Sequence, residues 1–355
     1  MAPRYALISV SDKTGVTDFA AGLVRQGFAI YSTGGTARTL RAAGIACTDI
    51  GEYTGFPEIM DGRVKTLHPR VFGGILARRS QDHHRQQAGE HGIVLFDVVA
   101  VNLYPFEETL ASGTADEQDR VENIDIGGVA LIRAAAKNFA DVLVVTDPRD
   151  YRDVLQAIAS GRADYAYRRS LALRAFSHTA RYDALISGWL AETTSDLFRE
   201  ELAIGLRKVR ELRYGENPHQ RAALYAACVP GDIRTLVHAR QLQGKEMSFN
   251  NYLDCDAAAG LVAEFDQPAC VIVKHNNPCG AACGTTLADA YLRAYACDTV
   301  SAFGGIIACN RPVDAEASEA MVRVFTECII APGYSARALE VLGCLLYTSP
   351  SPRDS

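Results

Sequence analysis

Three side chains that attract anions or carry protons lie close together in residues 62–69, which read Gly-Arg-Val-Lys-Thr-Leu-His-Pro. Arg63 and Lys65 are cations, and His68 changes its charge near neutral pH. The whole chain has a formal net charge of −6, so its overall field repels nucleic acid, and a local basic cluster indicates a site for a small anion. A solvated basic loop is the alternative. Pro69 is expected to keep the segment from forming a helix.

Two turns rich in glycine and hydroxyl groups follow the first two predicted strands. The first turn is Ser9–Gly15, with the sequence SVSDKTG, and the second is Ser32–Thr36, with the sequence STGGT. Glycine exposes backbone N–H groups, and the start of a helix favours a bound anion. A single turn of this kind is weak evidence, because many helices begin in the same way. Two of them on successive strands predict a phosphate site.

Two further segments of the first half carry groups suited to proton transfer. Val101–Phe106 ends a predicted strand with an amide and a phenol, and Asp125 precedes a helix that carries Lys137 among alanines. These alanines leave room for a ligand to approach the ammonium group of Lys137. The alternatives are a tyrosine packed at the end of a strand and a lysine that complements the helix dipole.

In the second half, Arg213–Gln220 (RYGENPHQ) is predicted to be an ordered loop, because glycine and proline interrupt it. Lys274 and His275 follow an apolar strand and form an adjacent pair that could stabilise charge and transfer protons. A zinc site is a weaker interpretation. Cys279 and Cys283 follow His275 at intervals of four residues, whereas zinc nucleobase deaminases use His-x-Glu with Cys-x-x-Cys. We therefore expect no metal.

Short apolar runs alternate with helical patterns through the first half, which predicts an α/β fold with a doubly wound, mostly parallel sheet. Ligands bind beyond the carboxyl ends of the strands in such sheets, where the turns described above lie. The predicted strands are Tyr5–Val10, Phe28–Ser32, Ile45–Ile50, Val98–Leu103 and Val142–Thr146, and the predicted helices are Val16–Gln26, Ala37–Ala43, Gly128–Lys137 and Tyr151–Ser160, with a long or broken helix over 162–198.

A chain of 355 residues with 48% hydrophobic and 22% charged residues is typical of a globular protein with two domains. Of ten cysteines, only Cys47 precedes residue 228, and this change in composition indicates a boundary near residues 199–213. Glu200–Leu212 is predicted to be a charged connector. The region beyond is again α/β, with strands at Ala222–Ala226, Ala269–Val273 and Gly304–Cys309 and helices at Asp254–Glu264 and Leu287–Ala296.

No apolar run approaches the length of a membrane span, and the N-terminus carries no secretory h-region. The cysteines are therefore expected to be reduced thiols in a cytoplasmic protein. Residues 344–355 lack periodicity. We interpret them as a non-native tail, such as a translated adapter.

The order and content of these motifs resemble a bifunctional family of purine biosynthesis, over roughly residues 5–342. SVSDKTG, STGGT, TGFPE, GRVKTLHP, NLYPF, DIGG and RAAAKN are similar to its IMP cyclohydrolase domain, and RYGENPHQ, GKEMSFNNYLD, VKHNNPCG, SAFGGI and IIAPGY to the first half of its AICAR transformylase domain. The resemblance implies a methylglyoxal-synthase-like domain at 1–199 and a partial transformylase domain at 200–343, which would be the first cytidine-deaminase-like subdomain.

The resemblance implies the last two steps of IMP synthesis. The transformylase transfers a formyl group from 10-formyltetrahydrofolate, its co-substrate, to AICAR. The cyclohydrolase then closes the product, FAICAR, to IMP with loss of water and needs no cofactor or metal. The implied partners are these small nucleotides and a second copy of the chain in a homodimer, without nucleic acid or membrane.

The resemblance also implies roles for individual residues. Lys137 would donate or accept the proton in the cyclohydrolase with help from Tyr104, and His275 would be the base of the transformylase with Lys274 stabilising its transition state. The implied cyclohydrolase substrate site comprises Ser11, Asp12, Lys13, Thr33, Gly34, Gly35, Thr36, Arg63, Val64, Lys65, Thr66, Val101, Asn102, Asp125 and Ile126. The implied AICAR site comprises Arg213, Tyr214, Asn251, Gly304 and Glu327.

The family's transformylase domain continues for more than a hundred residues beyond the point where this chain stops. We therefore expect the chain to retain cyclohydrolase activity and to lack formyl transfer. Three other interpretations stay open: a non-catalytic phosphate-binding regulatory module, since the first domain also resembles the allosteric domain of carbamoyl phosphate synthetase; a metal-dependent deaminase; and a truncated gene product that does not exist as such.

Overall fold

The computed structural model describes residues 3–57, 59–112, 114–192, 194, 198–228 and 235–343. Contacts within the chain divide these residues into two units. The first unit runs to Gly205 and includes Cys228, and the second begins at Leu206. The proposed domain boundary after residue 199 stays a prediction. The proposed tail at residues 344–355 lies outside the described residues.

A five-stranded parallel sheet forms the centre of the first unit, with the strand order β3-β2-β1-β4-β5. Val98–Val101 are buried throughout, as expected for strands covered on both faces. The prediction of a doubly wound parallel sheet is therefore confirmed. The strands are β1 (Arg4–Val10), β2 (Phe28–Ser32), β3 (Cys47–Asp49), β4 (Val98–Asn102) and β5 (Leu143–Val145).

Ten helices are described in this unit, and the longest, at its end, is continuous over 27 residues. The first helix has the apolar face predicted for it, with Val16, Phe19 and Leu23 buried. The helices are α1 (Val16–Arg25), α2 (Gly34–Ala42), α3 (Ile50–Thr54), α4 (Pro69–Leu76), α5 (Asp82–Glu90), α6 (Phe106–Ala111), α7 (Glu117–Glu122), α8 (Gly127–Lys137), α9 (Tyr151–Ala159) and α10 (Tyr165–Ala191).

One local prediction was confirmed and one was wrong. Residues 63–68 form no helix, as expected, and α4 begins only at Pro69, where the missing N–H group of proline costs no hydrogen bond. The predicted connector contains a strand, Leu206–Leu212, which pairs antiparallel with Ala222–Ala227. Six of the seven residues of this strand are exposed. It therefore lacks a buried face, and alternating hydrophobicity could not reveal it.

The second unit contains this two-stranded sheet and a four-stranded mixed sheet with the order β11-β10-β8-β9. In the larger sheet only β10 and β11 are parallel. The strands are β6 (Leu206–Leu212), β7 (Ala222–Ala227), β8 (Ala269–Lys274), β9 (Asn277–Cys283), β10 (Gly305–Cys309) and β11 (Thr326–Ile330), and the helices are α11 (Phe249–Ala263), α12 (Leu287–Cys297), α13 (Ala315–Met321) and α14 (Ala336–Gly343).

Buried side chains lie on both faces of the mixed sheet. Cys270 and Ile307 belong to a cluster with α12 and α13, whereas Val271 and Ile306 belong to a cluster with α11. Successive residues of a strand point to opposite faces, so the sheet is packed between two helical layers. Within the described ranges, no helix is both long and apolar enough to span a bilayer.

Candidate active site

The turn between β1 and α1 is held by the last residue of the neighbouring strand β4. The side-chain oxygen of Asn102 accepts hydrogen bonds from the backbone N–H groups of Ser11 (2.6 Å) and Asp12 (3.0 Å). Its amide nitrogen donates to the carbonyl oxygen of Asp12 at 2.9 Å. Asn102, predicted to line a base, thus uses its amide to shape the Ser11–Asp12 turn.

The start of α2 is fixed by two hydroxyl groups that face β1. The Thr36 hydroxyl donates to the carbonyl oxygen of Val10 at 3.0 Å and accepts from the Val10 N–H group at 3.1 Å. The Thr33 hydroxyl is 2.7 Å from that of Ser9 and does not cap the helix. The first turn of α2 is therefore anchored to β1 by these hydroxyl groups.

Two ammonium groups lie beside this helix start. A methyl group added to Gly34 would be 3.6 Å from Nζ of Lys65, and one added to Gly35 would be 3.9 Å from Nζ of Lys13. Lys13 also donates to the carbonyl oxygen of Ser11 at 3.2 Å. A helix N-terminus flanked by cations can bind a phosphate-sized anion, and this place is called the anion site below. The two glycines keep that site open.

Next to this anion site, the turn before α8 presents a carboxyl group. Asp125 accepts a hydrogen bond from the N–H group of Gly128 at 2.6 Å. Partial burial raises the pKa of Asp125, while the N–H groups of Gly128 and Tyr104 and the charge of Lys65 oppose that rise. A carboxyl group held in this way can exchange a proton at a pH above its ordinary range.

The side chains of Tyr104 and Ile126 are exposed beside Asp125, at 43% and 61% of their full areas. A flat ring could therefore contact them. The Thr66 hydroxyl would be only 2.8 Å from a methyl group at Gly127, so a side chain at that position would collide with it. These groups bring the 62–69 segment and the 124–128 turn to the same edge of the sheet.

Several predicted site residues have other neighbours. The Arg63 guanidinium forms an ion pair with Glu122 and lowers the pKa of that carboxyl group. His68 caps α4 by accepting a hydrogen bond from the N–H group of Arg70. Val101 is 1% exposed and belongs to the core, so only its backbone is near the site. Val64 is half-buried.

Lys137 is not brought to this cluster. It is the last residue of α8, whose 11 residues extend for roughly 15 Å from the turn at Gly127. The next residue, Asn138, donates to the carbonyl oxygens of Ile75 and Ala77 at the end of α4. Lys137 therefore lies towards the edge of the sheet where β4 and β5 begin, opposite the edge with the turns.

In the second unit, the predicted AICAR residues lie around the start of α11. The side-chain amide of Asn251 donates to a carboxylate oxygen of Glu327 on β11 at 2.7 Å. Asn250 donates to the carbonyl oxygen of Glu216 at 3.4 Å and so links the loop of Arg213 and Tyr214 to the same helix. The Arg213 guanidinium lies 5.6 Å from the centre of the Tyr214 ring.

His275 and Asn276 form the two-residue turn between β8 and β9, with φ values of 54° and 60°. Positive φ at both positions is the geometry of a type I′ hairpin turn, which residues with a Cβ adopt at a cost. Asp254 on α11 accepts from the N–H groups of both residues, at 3.3 Å and 2.8 Å. Lys274 donates to the carbonyl oxygen of Phe303 at 2.8 Å, next to Gly304.

The sequence analysis missed two residues that shape these sites. Asp254 belongs to the quoted motif GKEMSFNNYLD, yet its use as the anchor of a hairpin leaves no pattern in the sequence. Tyr182 binds the turn of Asp125 from the distant helix α10, and no local signal reveals it. Among the described residues, no group of three or more histidine, cysteine, aspartate or glutamate side chains could hold a metal ion.

Two known families match consecutive parts of the chain, and their junction lies within α8 and not at the boundary between the two units. The family described as "MGS-like domain" matches residues 15–130, and the family described as "AICARFT/IMPCHase bienzyme" matches residues 135–344. The first match covers α2, the 62–69 segment and the 124–128 turn, and it begins after the Ser11–Asp12 turn. The second covers the last three residues of α8, all of α9 and α10, and the described residues of the second unit.

Relatives similar to this chain carry the name "Bifunctional purine biosynthesis protein PurH". The proteins from Oceanobacillus iheyensis and Rhizobium leguminosarum bv. trifolii are each 52% identical over 96% of this chain, and that from Myxococcus xanthus is 52% identical over 95% of it. The matched part of the chain spans only 63–66% of the length of these relatives. A solved structure titled "Crystal structure of ForH" is 36% identical, with 54% of this chain and all of that chain covered and a TM-score of 0.48.

Proposed function

The chain belongs to the family of AICARFT/IMPCHase bienzymes, and we propose that its first unit is an IMP cyclohydrolase that closes FAICAR to IMP. The observation that carries this proposal is the open N-terminus of α2 between Lys13 and Lys65, beside the carboxyl group of Asp125. The phosphate of a nucleotide monophosphate has the negative charge that the helix start and the two lysines would bind. Its polar base has groups that could form hydrogen bonds to the Asp125 carboxyl group.

The phosphate of FAICAR would occupy the start of α2. There it would accept hydrogen bonds from the N–H groups of Gly34, Gly35 and Thr36. It would also form ion pairs with Lys13 and Lys65. The Ser11–Asp12 turn, shaped by Asn102, would face the ribose. The base would then extend towards Asp125, Ile126 and Tyr104. This pose uses most of the residues that the family resemblance implies.

The chemistry of ring closure is compatible with this pose. The carboxamide nitrogen attacks the formyl carbon, a C–N bond forms, and the former carbonyl oxygen takes the electron pair and a proton. Asp125 would accept the proton of the attacking nitrogen, and the Tyr104 hydroxyl would protonate the oxygen, while Lys65 stabilises the charge that develops. Asp125 would then return its proton to that hydroxyl group, which leaves as water as the C–O bond breaks. The formamido nitrogen forms a C=N bond to the same carbon and loses its proton to the Tyr104 phenolate, so both groups are restored. The role of Lys137 rests on the family resemblance alone.

For the second unit we propose the AICAR-binding part of a transformylase. Arg213, Tyr214, Asn251, Gly304 and Glu327 would bind AICAR, with His275 as base and Lys274 as the stabilising cation. The complete family member would use 10-formyltetrahydrofolate in the cytoplasm as a homodimer, with no metal. We expect no formyl transfer from this chain, and detectable transfer by the purified protein would contradict that expectation.

A regulatory phosphate-binding module is the second candidate. The observation in its favour is the position of Lys137, about one helix length from the turn that carries Asp125. Such a module needs the phosphate turns and no groups for proton transfer. It predicts that the chain binds IMP and does not turn over FAICAR.

Turnover separates the two functions. The formation of IMP from FAICAR should be measured with the purified chain and with its Asp125→Asn and Lys137→Ala variants. A working cyclohydrolase whose activity collapses in Asp125→Asn supports the assignment of the proton transfer to the 124–128 turn. A folded wild-type chain that binds IMP without turnover would overturn it in favour of the module.

A further inference from the structure

The long helix α10 places one hydroxyl group under the turn that carries Asp125. The Tyr182 hydroxyl donates to the carbonyl oxygen of Asn123 at 2.9 Å and accepts from the N–H group of Asp125 at 2.9 Å. Tyr182 is 5% exposed. A single buried oxygen thus bridges two backbone groups that are two residues apart.

The position of the Asp125 carboxyl group depends on this turn. Tyr182 fixes the backbone at Asp125 from below, and the N–H group of Gly128 fixes the carboxyl group from the other side at 2.6 Å. Burial is the main cause that raises the pKa of Asp125. Any loosening of the turn would admit water and lower that pKa towards its ordinary value.

Aromatic packing holds the phenol of Tyr182 in place. The Phe106 ring lies 6.1 Å from the Tyr182 ring and 5.6 Å from the Trp189 ring, edge to face in both cases. Phe106 follows Tyr104 by two residues, so the same aromatic layer supports both segments that flank the proposed base site. Burial and the contact with Phe106 therefore restrict the motion of the Tyr182 ring.

We propose that Tyr182 is a positioning residue for the cyclisation, which holds the 123–128 turn so that the Asp125 carboxyl group faces the reacting base. This inference rests on the proposed cyclohydrolase function. Tyr182 itself contacts neither substrate nor reacting atoms in the proposed pose. Its effect is on the geometry and hydration of Asp125.

The test compares Tyr182→Phe with Tyr167→Phe in the full chain. Tyr167 lies on the same helix, and its hydroxyl donates to Asp153 at 2.7 Å, so the control also removes one hydrogen-bonded hydroxyl from α10. Hydrogen–deuterium exchange over residues 121–130 measures the turn without reference to activity. Steady-state kinetics with FAICAR across pH measure its consequence.

We expect faster exchange over residues 121–130 in Tyr182→Phe only. We also expect kcat to fall by about 10- to 100-fold, the scale of a misplacement of about 1 Å, with KM changed less than threefold. The limb of the kcat profile that reports Asp125 should move to lower pH. The Tyr167→Phe variant should keep the wild-type rate and profile.

Two results would overturn the inference. Unchanged exchange over residues 121–130 would show that the hydroxyl does not hold the turn. Faster exchange with an unchanged kcat and pH profile would show that the turn does not govern the reaction. A wild-type chain without turnover would instead refute the proposed function, and the exchange data would still decide whether Tyr182 holds the turn.

Discussion

The buried hydroxyl of Thr36 provides a quantitative test of how the anion site is built. It makes two hydrogen bonds to the backbone of Val10, at 3.0 and 3.1 Å, and Thr36 is 3% exposed. Thr36→Val keeps the shape of the side chain and leaves two buried polar groups without these partners. With net hydrogen-bond contributions near 1 kcal/mol and penalties of 1–3 kcal/mol for an unpaired group, we expect a loss of roughly 2–3 kcal/mol.

The assay should report the first unit alone, because a chain with two units need not unfold in one step. Trp189 is the only tryptophan of the chain and is 5% exposed in the core of that unit. Its fluorescence during urea unfolding should give a midpoint for Thr36→Val about 1 M below wild type, at a slope of roughly 2–3 kcal/mol/M.

Thr36→Ser is the matched control for this prediction. Serine keeps the hydroxyl and loses one buried methyl group, which costs about 1 kcal/mol. If Thr36→Val is no less stable than Thr36→Ser, the two hydrogen bonds do not anchor the start of α2 and the reasoning is refuted. The Val variant should also bind IMP more weakly at temperatures where it is folded, because the N–H groups of the first turn are no longer held.

Three other predictions address charge and strain. Burial raises the pKa of Asp125, so ionisation of this carboxyl group destabilises the folded wild-type chain. Asp125→Asn should therefore become more stable relative to wild type as the pH rises from 3 to 7. A difference in the free energy of urea unfolding that does not change with pH would contradict this. Lys65→Met should weaken IMP binding, measured by calorimetry, by roughly 10- to 100-fold, as expected for the loss of a charged hydrogen bond. The control Lys137→Met should bind IMP with the affinity of wild type. If both variants lose the same affinity, the phosphate binds elsewhere. His275→Gly should relieve the backbone strain of the positive φ and stabilise the hairpin by about 1 kcal/mol. The backbone amides of β8 and β9 should then exchange hydrogen more slowly, and faster exchange would contradict the prediction.

The parallel sheet could be predicted because its strands are short buried runs between amphipathic helices. Val98–Asn102 is buried through Val101 and ends in a polar residue, so both the strand and the turn that follows it leave clear patterns in the sequence. The meeting of the turns at one edge of the sheet could be predicted for the same reason. The turns follow successive strands, and parallel strands bring their carboxyl ends to one edge.

Features that depend on tertiary contacts could not be predicted. The exposed strand Leu206–Leu212 is held by its partner strand, so its own sequence has no buried face. Helix α4 was not predicted, because a proline can follow a loop or begin a helix, and the cap formed by His68 decides which. Lys137 shares a helix with the 124–128 turn, yet the helical rise places it far from that turn.

The positions of Asp254 and Tyr182 show a second limit. Each binds backbone N–H groups of a residue that is distant in the sequence, Asp254 those of His275 and Asn276 and Tyr182 that of Asp125. Side-chain hydrogen bonds to the backbone need no complementary residue type at the other end. A single sequence therefore contains no pattern that would pair them.

A crystal structure of the chain with IMP would test the central claim most directly. The account predicts the phosphate at the start of α2, between the ammonium groups of Lys13 and Lys65, with the base beside Asp125 and Tyr104. A phosphate bound at the opposite edge of the sheet, near Lys137, would contradict the assignment of the site to the turns at the carboxyl ends of the strands.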